Sequence, residues 1–140
     1  TTHIPFIVRG PGIQIGSTCT QPVSLIDVYP SLVDFAGFKI PNWLDGTSIK
    51  PQLVNPISPR PAAISSYGEG NTSIRTERWR YIRYEDGSEE LYDHRVDPDE
   101  WTNLAGKPKH SKTKKLLAAM IPAKQHPGIK VQSWFDKFQK

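Results

Sequence analysis

The stretch that most constrains the fold runs from Ile74 to Tyr92. Aromatic, β-branched and arginine side chains alternate along Trp79–Tyr84, which is the two-residue period of a β-strand. Asp86-Gly87 is a strong hairpin signal, because glycine tolerates the positive φ of a tight turn. Glu89–Tyr92 then returns antiparallel, and a second turn at Glu77-Arg78 joins Trp79 to Ser73–Thr76. These signals predict a meander of three antiparallel strands.

A sheet of this size is only marginally stable alone and needs a helix on one face. Thr113–Ile121 is the best candidate, because apolar residues recur there at helical spacing. Ser111 is predicted to cap this helix, and Pro122 to stop it.

The first part of the chain has an α/β character. Ile4–Val8 is a continuous apolar run, which is typical of a strand covered on both faces. A helix is predicted within Pro22–Gly37. With Asp27 as N-cap, Pro30 falls in the first turn; a start near Ser24 would place Pro30 further in and kink the helix. Gly37 is the natural residue to follow the helix end.

Proline and glycine divide the rest of the chain. Ser48–Leu53 is predicted to hold one or two helical turns capped by Ser48. Ala62–Tyr67 is predicted to be a strand, and residues 68–71 a flexible loop. The fold class is therefore α+β. The expected organisation is residues 1–55 as the end of a larger α/β domain, 56–61 as connector, 62–122 as antiparallel sheet with helix, and 123–140 as basic tail.

Composition narrows the function only slightly. The net charge of +4 and the isoelectric point near 9.2 suggest an anionic partner, with positive charge concentrated in the arginines of 75–83 and the lysines of 107–115. The single cysteine, Cys19, excludes an internal disulfide. No apolar run approaches the roughly 20 residues of a membrane span. Since the chain starts without methionine and almost at once enters a buried type of strand, we expect it to be a piece of a longer chain.

The residues display no complete catalytic set. Cys19 has no histidine or cation nearby in sequence, so a structural role is expected. The four histidines lack metal-ligand spacing, and the acids between Glu89 and Glu100 fit no calcium loop, so pairing with the meander arginines is expected. The best functional loop is Gly68–Arg75, which is rich in glycine and carries Asn71. His3 could line a site, because it precedes the predicted first strand.

Two groups of motifs carry a family resemblance. The first group is Thr2–Ile7 (THIPFI), Gly10–Gly12 (GPG), Val23–Leu32 (VSLIDVYPSL) and Leu44–Ser48 (LDGTS). The second is Ser73–Thr76 (SIRT), Trp79–Tyr84 (WRYIRY), Glu90–Asp93 (ELYD) and Asp97–Ala105 (DPDEWTNLA). In this order and spacing, over about residues 2–121, they resemble the C-terminal third of formylglycine-dependent sulfatases, and the THIP and SIRT strings point to the iduronate-2-sulfatase-like branch.

The resemblance implies a parent hydrolase of sulfate esters with an alkaline-phosphatase-like α/β fold. Its substrate would be a sulfated sugar or glycosaminoglycan such as 2-sulfo-iduronate, and its compartment periplasmic, secreted or lysosomal. The family's formylglycine arises from a C-x-P-x-R motif, whereas Cys19 is followed by Thr-Gln-Pro-Val. The calcium ligands and catalytic residues would precede Thr1, so the resemblance predicts no catalytic or metal-binding residue here and no activity of this piece alone.

In this family the C-terminal antiparallel subdomain borders the active-site cleft. The resemblance therefore implies that four residues contact the sulfated sugar: His3, Tyr67, Asn71 and Arg75. The missing N-terminal portion would be the chain's partner, and neither nucleic acid nor a membrane span is expected. Two alternatives remain open: another hydrolase of the alkaline-phosphatase superfamily, acting on phosphodiesters or phosphonates, and a basic polyanion-binding module.

Overall fold

The computed structural model describes residues 4–123, and the chain divides into two units, Thr1–Ala63 and Ile64–Lys140. Each is treated separately below. The predicted α+β class is confirmed, because the described residues form three α-helices and one small sheet. None of the helices found between residues 4 and 123 has the length and apolar character to cross a bilayer. The assignment of residues 1–55 to the end of a larger domain stays a prediction, as does the basic tail, which lies almost wholly outside the described residues.

The main helix of the first unit is α1, Val28–Phe35, which follows a 3₁₀ turn at Leu25–Asp27. Pro30 is the third helical residue, where its missing N–H leaves no intrahelical bond unmade. Gly37 has a φ of 76°, and the N–H groups of Gly37 and Phe38 donate to the carbonyls of Asp34 and Val33, both at 3.1 Å. This is the glycine-terminated helix end that the sequence predicts.

Asp27 occupies the predicted N-cap position of α1 but does not cap the helix with its side chain. Its carboxylate instead accepts the N–H of Ser24 at 2.7 Å and the N–H of Thr47 at 2.8 Å. Arg60 Nη2 donates to the same carboxylate at 2.7 Å. The predicted local cap is therefore wrong, because three donors from outside α1, two of them distant in sequence, take the carboxylate.

A second short helix, α2, covers Lys50–Val54 and has Pro51 in its first turn. Ile49, not Ser48, is its N-cap residue, although the Ser48 hydroxyl accepts the N–H of Lys50 at 3.2 Å. The same hydroxyl donates to Asp34 at 2.7 Å, and Lys50 Nζ lies 3.0 Å from the other oxygen of that carboxylate. These bonds tie α2 to the last turn of α1.

The predicted strand at Ile4–Val8 is not formed, since these residues have no regular secondary structure and Ile7 is 92% exposed. A strand needs a neighbour for its N–H and C=O groups. Between residues 4 and 123 every strand belongs to the sheet at 63–93, and none runs beside this segment.

The second unit is built on a four-stranded sheet in the order β1-β2-β3-β4. The strands are β1 Ala63–Ser66, β2 Thr72–Arg75, β3 Trp79–Arg83 and β4 Glu89–Asp93. The antiparallel pairing of β2 with β3 and of β3 with β4 confirms the predicted meander. Gly87 has a φ of 83°, and its N–H donates to Tyr84 O at 3.0 Å, so the Asp86-Gly87 turn is confirmed as well.

The core of this unit is a row of three side chains across the sheet. Ile74 pairs with Tyr81, and Tyr81 pairs with Leu91, and all three are fully buried. Helix α3, Ser111–Ala118, packs on the sheet and buries Leu117. The predicted covering helix is confirmed, but Ser111 is its first residue and not its cap, because a 3₁₀ turn at Pro108–His110 leads directly into it.

Candidate functional site at the turn end of the sheet

Two turns lie side by side at one end of the sheet. Thr72, which begins β2, is paired with Arg83, which ends β3, and Arg83 is paired with Glu89, which begins β4. The loop at 68–71 before β2 and the turn at 84–88 after β3 therefore meet at the same end. Loops held on a rigid scaffold are where binding residues concentrate.

The two turns are fastened by Asn71 and Gly70. Asn71 Oδ1 accepts the N–H of Glu85 at 3.3 Å, while its Nδ2 donates to Glu69 O at 3.2 Å. Gly70 has a φ of 83°, and a Cβ there would lie 2.8 Å from Glu85 Cα. Glycine is thus required at this position both by its backbone conformation and by the close approach of the neighbouring turn.

Between the turns lies an open cleft of about 580 Å³. Its lining residues are Asn71, Tyr84, Glu85, Asp86 and Ser88. The Ser88 side chain and N–H both donate to Asp86 Oδ1, which holds the pKa of that carboxyl below its usual value. Burial, reinforced by a hydrogen bond to Glu90, raises the pKa of Tyr84. With two carboxylates and an amide, the cleft suits hydroxyl or amino groups better than a sulfate.

Tyr67 and Asn71, two of the predicted site residues, are together at this end. The N–H of Tyr67 donates to Asn71 O at 2.9 Å, and the Tyr67 side chain is 87% exposed. An exposed aromatic ring beside a polar cleft offers a flat apolar surface with a polar tip. His3, the third predicted residue, lies outside the described residues.

Arg75, the fourth predicted site residue, lies at the end of β2 that is remote from Asn71. It lies four residues further along the chain than Asn71, a distance of about 13 Å at the usual strand rise of about 3.3 Å per residue. Its Nη2 contacts His94 Nδ1 at 2.8 Å, and its Nη1 donates to the carbonyls of Thr76 and Glu77. Burial lowers the pKa of Arg75, opposed by the nearby charge of Glu100. The structure therefore commits this guanidinium to internal contacts.

A half-buried charge network, which sequence reasoning missed, surrounds Arg75. Arg75 is paired across the sheet with Arg80, and facing like charges need an anion between them. Glu100 supplies it: Arg80 Nη1 lies 3.0 and 3.2 Å from its two oxygens, and His94 Nε2 lies 2.7 Å from Oε1. Because a guanidinium only donates, His94 Nδ1 accepts and Nε2–H donates to Glu100. The sequence feature that could have indicated this network is the pair of arginines, Arg75 and Arg80, on neighbouring strands.

Two further acids of the 89–100 cluster are paired with basic side chains. Asp93 binds Arg78 through two bonds at 2.6 and 2.9 Å, and Glu89 binds Lys114 at 2.6 Å. The expected pairing with meander arginines is confirmed for Asp93 and Glu100. Glu89, Asp93 and Glu100 therefore stabilise the fold through ion pairs.

The comparisons with known proteins decide the family. A family described as N-sulphoglucosamine sulphohydrolase, C-terminal, matches residues 1–126. The chain belongs to this sulfatase family. This confirms the resemblance to sulfatases, while the iduronate-2-sulfatase-like branch stays a prediction.

Curated relatives of this sulfatase segment are themselves sulfatases. It is 36% identical over 124 residues to arylsulfatase K of Bos taurus, covering 76% of this chain and 23% of that protein. It is 32% identical over 122 residues to a sulfatase of Formosa agariphila, covering 86% of this chain and 24% of that protein. The segment thus spans about a quarter of the length of these relatives.

Solved structures give the same architecture. A 2-O GAG sulfatase matches with a TM-score of 0.65 and 31% identity, over 79% of this chain and 27% of that one. A protein solved with its substrate D-glucosamine-2-N,6-O-disulfate matches with a TM-score of 0.57 and 33% identity, over 66% and 22%. A phosphonate monoester hydrolase from Silicibacter pomeroyi matches with a TM-score of 0.62 and 26% identity, over 79% and 26%.

The described residues of the sulfatase segment fit neither the formylglycine nor the calcium ion that the family resemblance implies. Among residues 4–123 no three His, Cys, Asp or Glu side chains are grouped to hold a metal ion. Cys19 is half-buried, lacks the C-x-P-x-R context, and its Sγ–H donates to Pro56 O at 3.3 Å. A structural role for Cys19 accords with these contacts.

Proposed function

We propose that this chain is the C-terminal portion of a sulfatase that hydrolyses sulfate esters of a sulfated sugar or glycosaminoglycan. The observation that carries the proposal is the match along nearly the whole chain: residues 1–126 fit the family, and the Formosa agariphila sulfatase aligns with 86% of the chain at 32% identity. Because residues 4–123 fit neither a formylglycine nor a calcium ion, the proposal assigns both to a part of the enzyme outside this chain.

In this proposal the chain shapes the substrate cleft and supports the fold. Residues 1–55 end the large α/β domain, 56–61 connect, and 62–122 form the bordering subdomain. Tyr67 and Asn71 are the proposed sugar contacts, because one is exposed and the other lines the cleft between the turns. His3 is also proposed as a sugar contact, on the family resemblance alone. Arg75 would have to give up its contact with His94 to bind a sulfate.

For the substrate we propose a 2-O-sulfated uronate, such as 2-sulfo-iduronate. Two lines support it: the THIP and SIRT strings of the sequence, and the likeness to a 2-O GAG sulfatase at 31% identity. The likeness to a protein solved with a disulfated glucosamine makes an N- or 6-O-sulfated amino sugar the substrate to test beside it.

A second candidate activity is phosphonate monoester hydrolysis. It is favoured by one observation, the TM-score of 0.62 at 26% identity to the Silicibacter pomeroyi enzyme. The curated relatives are more similar in sequence and are sulfatases, so sulfate-ester hydrolysis is the primary proposal.

The test is hydrolysis by the full-length enzyme that contains this chain. Substrates are an aryl sulfate, a 2-O-sulfated uronate disaccharide, an N,6-O-disulfated glucosamine and a phosphonate monoester. We expect release of sulfate, fastest from the uronate. Hydrolysis of the phosphonate alone would overturn the proposal.

The residue assignments are tested in the same enzyme. Tyr67→Ala and Asn71→Ala should raise KM for the sugar substrate several-fold, with little change in turnover of the aryl sulfate. Ser65→Ala, at an exposed position of the neighbouring strand, is the control. Equal KM values in all three variants would remove Tyr67 and Asn71 from the site.

A further inference from the structure

The segment at 107–115 carries a dense positive charge. It contains five lysines and His110 and not one acidic residue. Four of these lysines, Lys107, Lys109, Lys112 and Lys115, are exposed, and their ammonium groups make no hydrogen bond or ion pair with any residue in the described range 4–123. We name these four the lysine surface.

The fifth lysine marks the boundary of this surface. Lys114 Nζ binds Glu89 Oε2 at 2.6 Å, on strand β4. Lys114 and the buried Leu117 therefore face the sheet, whereas Lys112 and Lys115 are exposed on the opposite side of α3. The same helix thus carries one structural lysine on the side of the sheet and, on the other side, lysines whose ammonium groups have no polar partner among residues 4–123.

Helix stability accounts for Lys115, which lies in the last turn of α3, but not for the other three lysines of the surface. Cations near the beginning of a helix are unfavourable, because that end carries the positive side of the helix dipole. α3 has no acidic residue in its first turn, and Lys107, Lys109 and Lys112 all lie at or before it. Residues that oppose local stability without a compensating internal contact are expected at functional positions.

We propose that the lysine surface binds a sulfated polysaccharide chain at a distance from the sugar that is hydrolysed. The inference rests on the proposed sulfatase function, which makes a sulfated polymer the available polyanion. Lysines suit this ligand, because a flexible ammonium group follows irregularly spaced sulfates, whereas arginine forks favour fixed bidentate geometry.

The composition of the segment favours polysaccharide over single-stranded nucleic acid. Proteins that bind single strands stack bases on aromatic side chains between their basic residues. Residues 107–115 contain no Trp, Tyr or Phe. The one ring that contacts the segment among the described residues, Trp79, meets His110 edge-on, so it does not present its face beside the lysines as a base-stacking surface. A segment whose own residues supply point charges and no aromatic ring matches a polymer whose charges are at its periphery.

The first experiment compares long and short substrates in the full-length enzyme. In K107Q/K109Q/K112Q/K115Q we expect KM for a sulfated polysaccharide to rise about tenfold, since each exposed ion pair contributes only a small factor. KM for a sulfated disaccharide and kcat for both substrates should change less than about twofold, because the reacting sugar is not touched. An unchanged KM for the polysaccharide would overturn the inference.

The second experiment measures binding directly and does not need activity. Heparin affinity at increasing salt should weaken in K112Q/K115Q, and the slope of log affinity against log salt should fall by about one per lysine removed. R9Q/K39Q removes the same charge from exposed residues of the first unit and should leave heparin binding nearly unchanged. Equal loss in both variants, or tighter binding of single-stranded DNA than of heparin, would overturn the lysine surface.

The two proposals fail separately. An enzyme that hydrolyses no sulfated sugar but binds heparin through these lysines would refute the sulfatase function alone. An active sulfatase whose heparin affinity is unchanged in K112Q/K115Q would refute the lysine surface alone.

Discussion

Arg60 and Asp27 form an ion pair almost fully withdrawn from water. Nη2 of Arg60 lies 2.7 Å from Oδ2 of Asp27, and the two side chains are 4% and 6% exposed. Asp27 also accepts two backbone N–H groups, whereas Nε and Nη1 of Arg60 are buried with no hydrogen-bond partner among the residues that the structure describes. The pair links the start of α1 to the segment before β1, within the first unit.

Arg60→Met should destabilise the protein by about 3 kcal/mol, because a buried carboxylate is left without its counter-charge. Urea unfolding gives the free energy of unfolding directly. The double variant Arg60→Met with Asp27→Asn should recover part of the loss, since the uncompensated charge is then removed. A loss as small as that of Arg9→Met, at an exposed position, would contradict this role of the pair.

Gly70→Ala should destabilise the protein more than Gly68→Ala does. Both glycines have positive φ, at 83° and 65°, so both alanines carry about 1 kcal/mol of backbone strain. Only at Gly70 would the new Cβ meet backbone, 2.8 Å from Glu85 Cα, whereas nothing lies within 4 Å at Gly68. We expect a further loss of about 1–2 kcal/mol from this overlap in thermal unfolding; equal losses would show that the two turns do not touch.

Tyr81→Phe should cost about 1.5 kcal/mol, the usual value for a hydrogen bond to a charged group. The Tyr81 ring is fully buried, and its hydroxyl donates to Glu89 Oε1 at 2.5 Å. Burial, with the bond to Glu89, raises the pKa of Tyr81, so the hydroxyl keeps its proton. Tyr84→Phe is the matched control, because its hydroxyl also donates to a glutamate but is less buried. Chemical unfolding of the two variants should rank Tyr81→Phe as the more costly.

The stability of the second unit should fall in acid partly through Asp93. The side-chain hydrogen bonds from Arg78 hold the pKa of Asp93 below its usual value. A carboxyl with a depressed folded pKa contributes stability that is present above its unfolded pKa of about 3.9 and is lost as the pH falls through the folded value. Asp93→Asn should therefore flatten the stability profile below about pH 4. Asp99→Asn, at an exposed side chain, is the control, and an equally steep acid limb in Asp93→Asn would contradict the assignment.

The sequence predicts those features whose signals are local. The meander at 73–92 has alternation, a turn dipeptide and short connections, all contained in about twenty residues, and its three strands and their antiparallel order are confirmed. Asp27 shows the limit: its position before α1 is correctly predicted, but the donors that take its carboxylate include Thr47 and Arg60, which are far away in sequence. No local pattern reports such partners.

The candidate site likewise has one part that local sequence signals predict and one part that they do not. The loop at 68–71 is predicted from its glycines, but the turn at 84–88 completes the cleft, and only the register brings the two together. Asn71 and Arg75 are close in sequence, which predicts a shared site. In the structure Asn71 precedes strand β2 and Arg75 ends it, so they lie at opposite ends of the strand. Ile4–Val8 has the composition of a buried strand, yet pairing requires a neighbour that the described residues do not supply.

The order β1-β2-β3-β4 has a consequence for how quickly the sheet assembles. Every strand lies next to the one that precedes or follows it in the chain, so each pairing closes a loop of only a few residues. Short loops carry a small closure entropy, and hairpins of this kind form in about 1–10 μs. We therefore expect strand pairing to begin at the Asp86-Gly87 turn and to spread from there. The register of the sheet is then expected to form before contacts with residues that are distant in the chain.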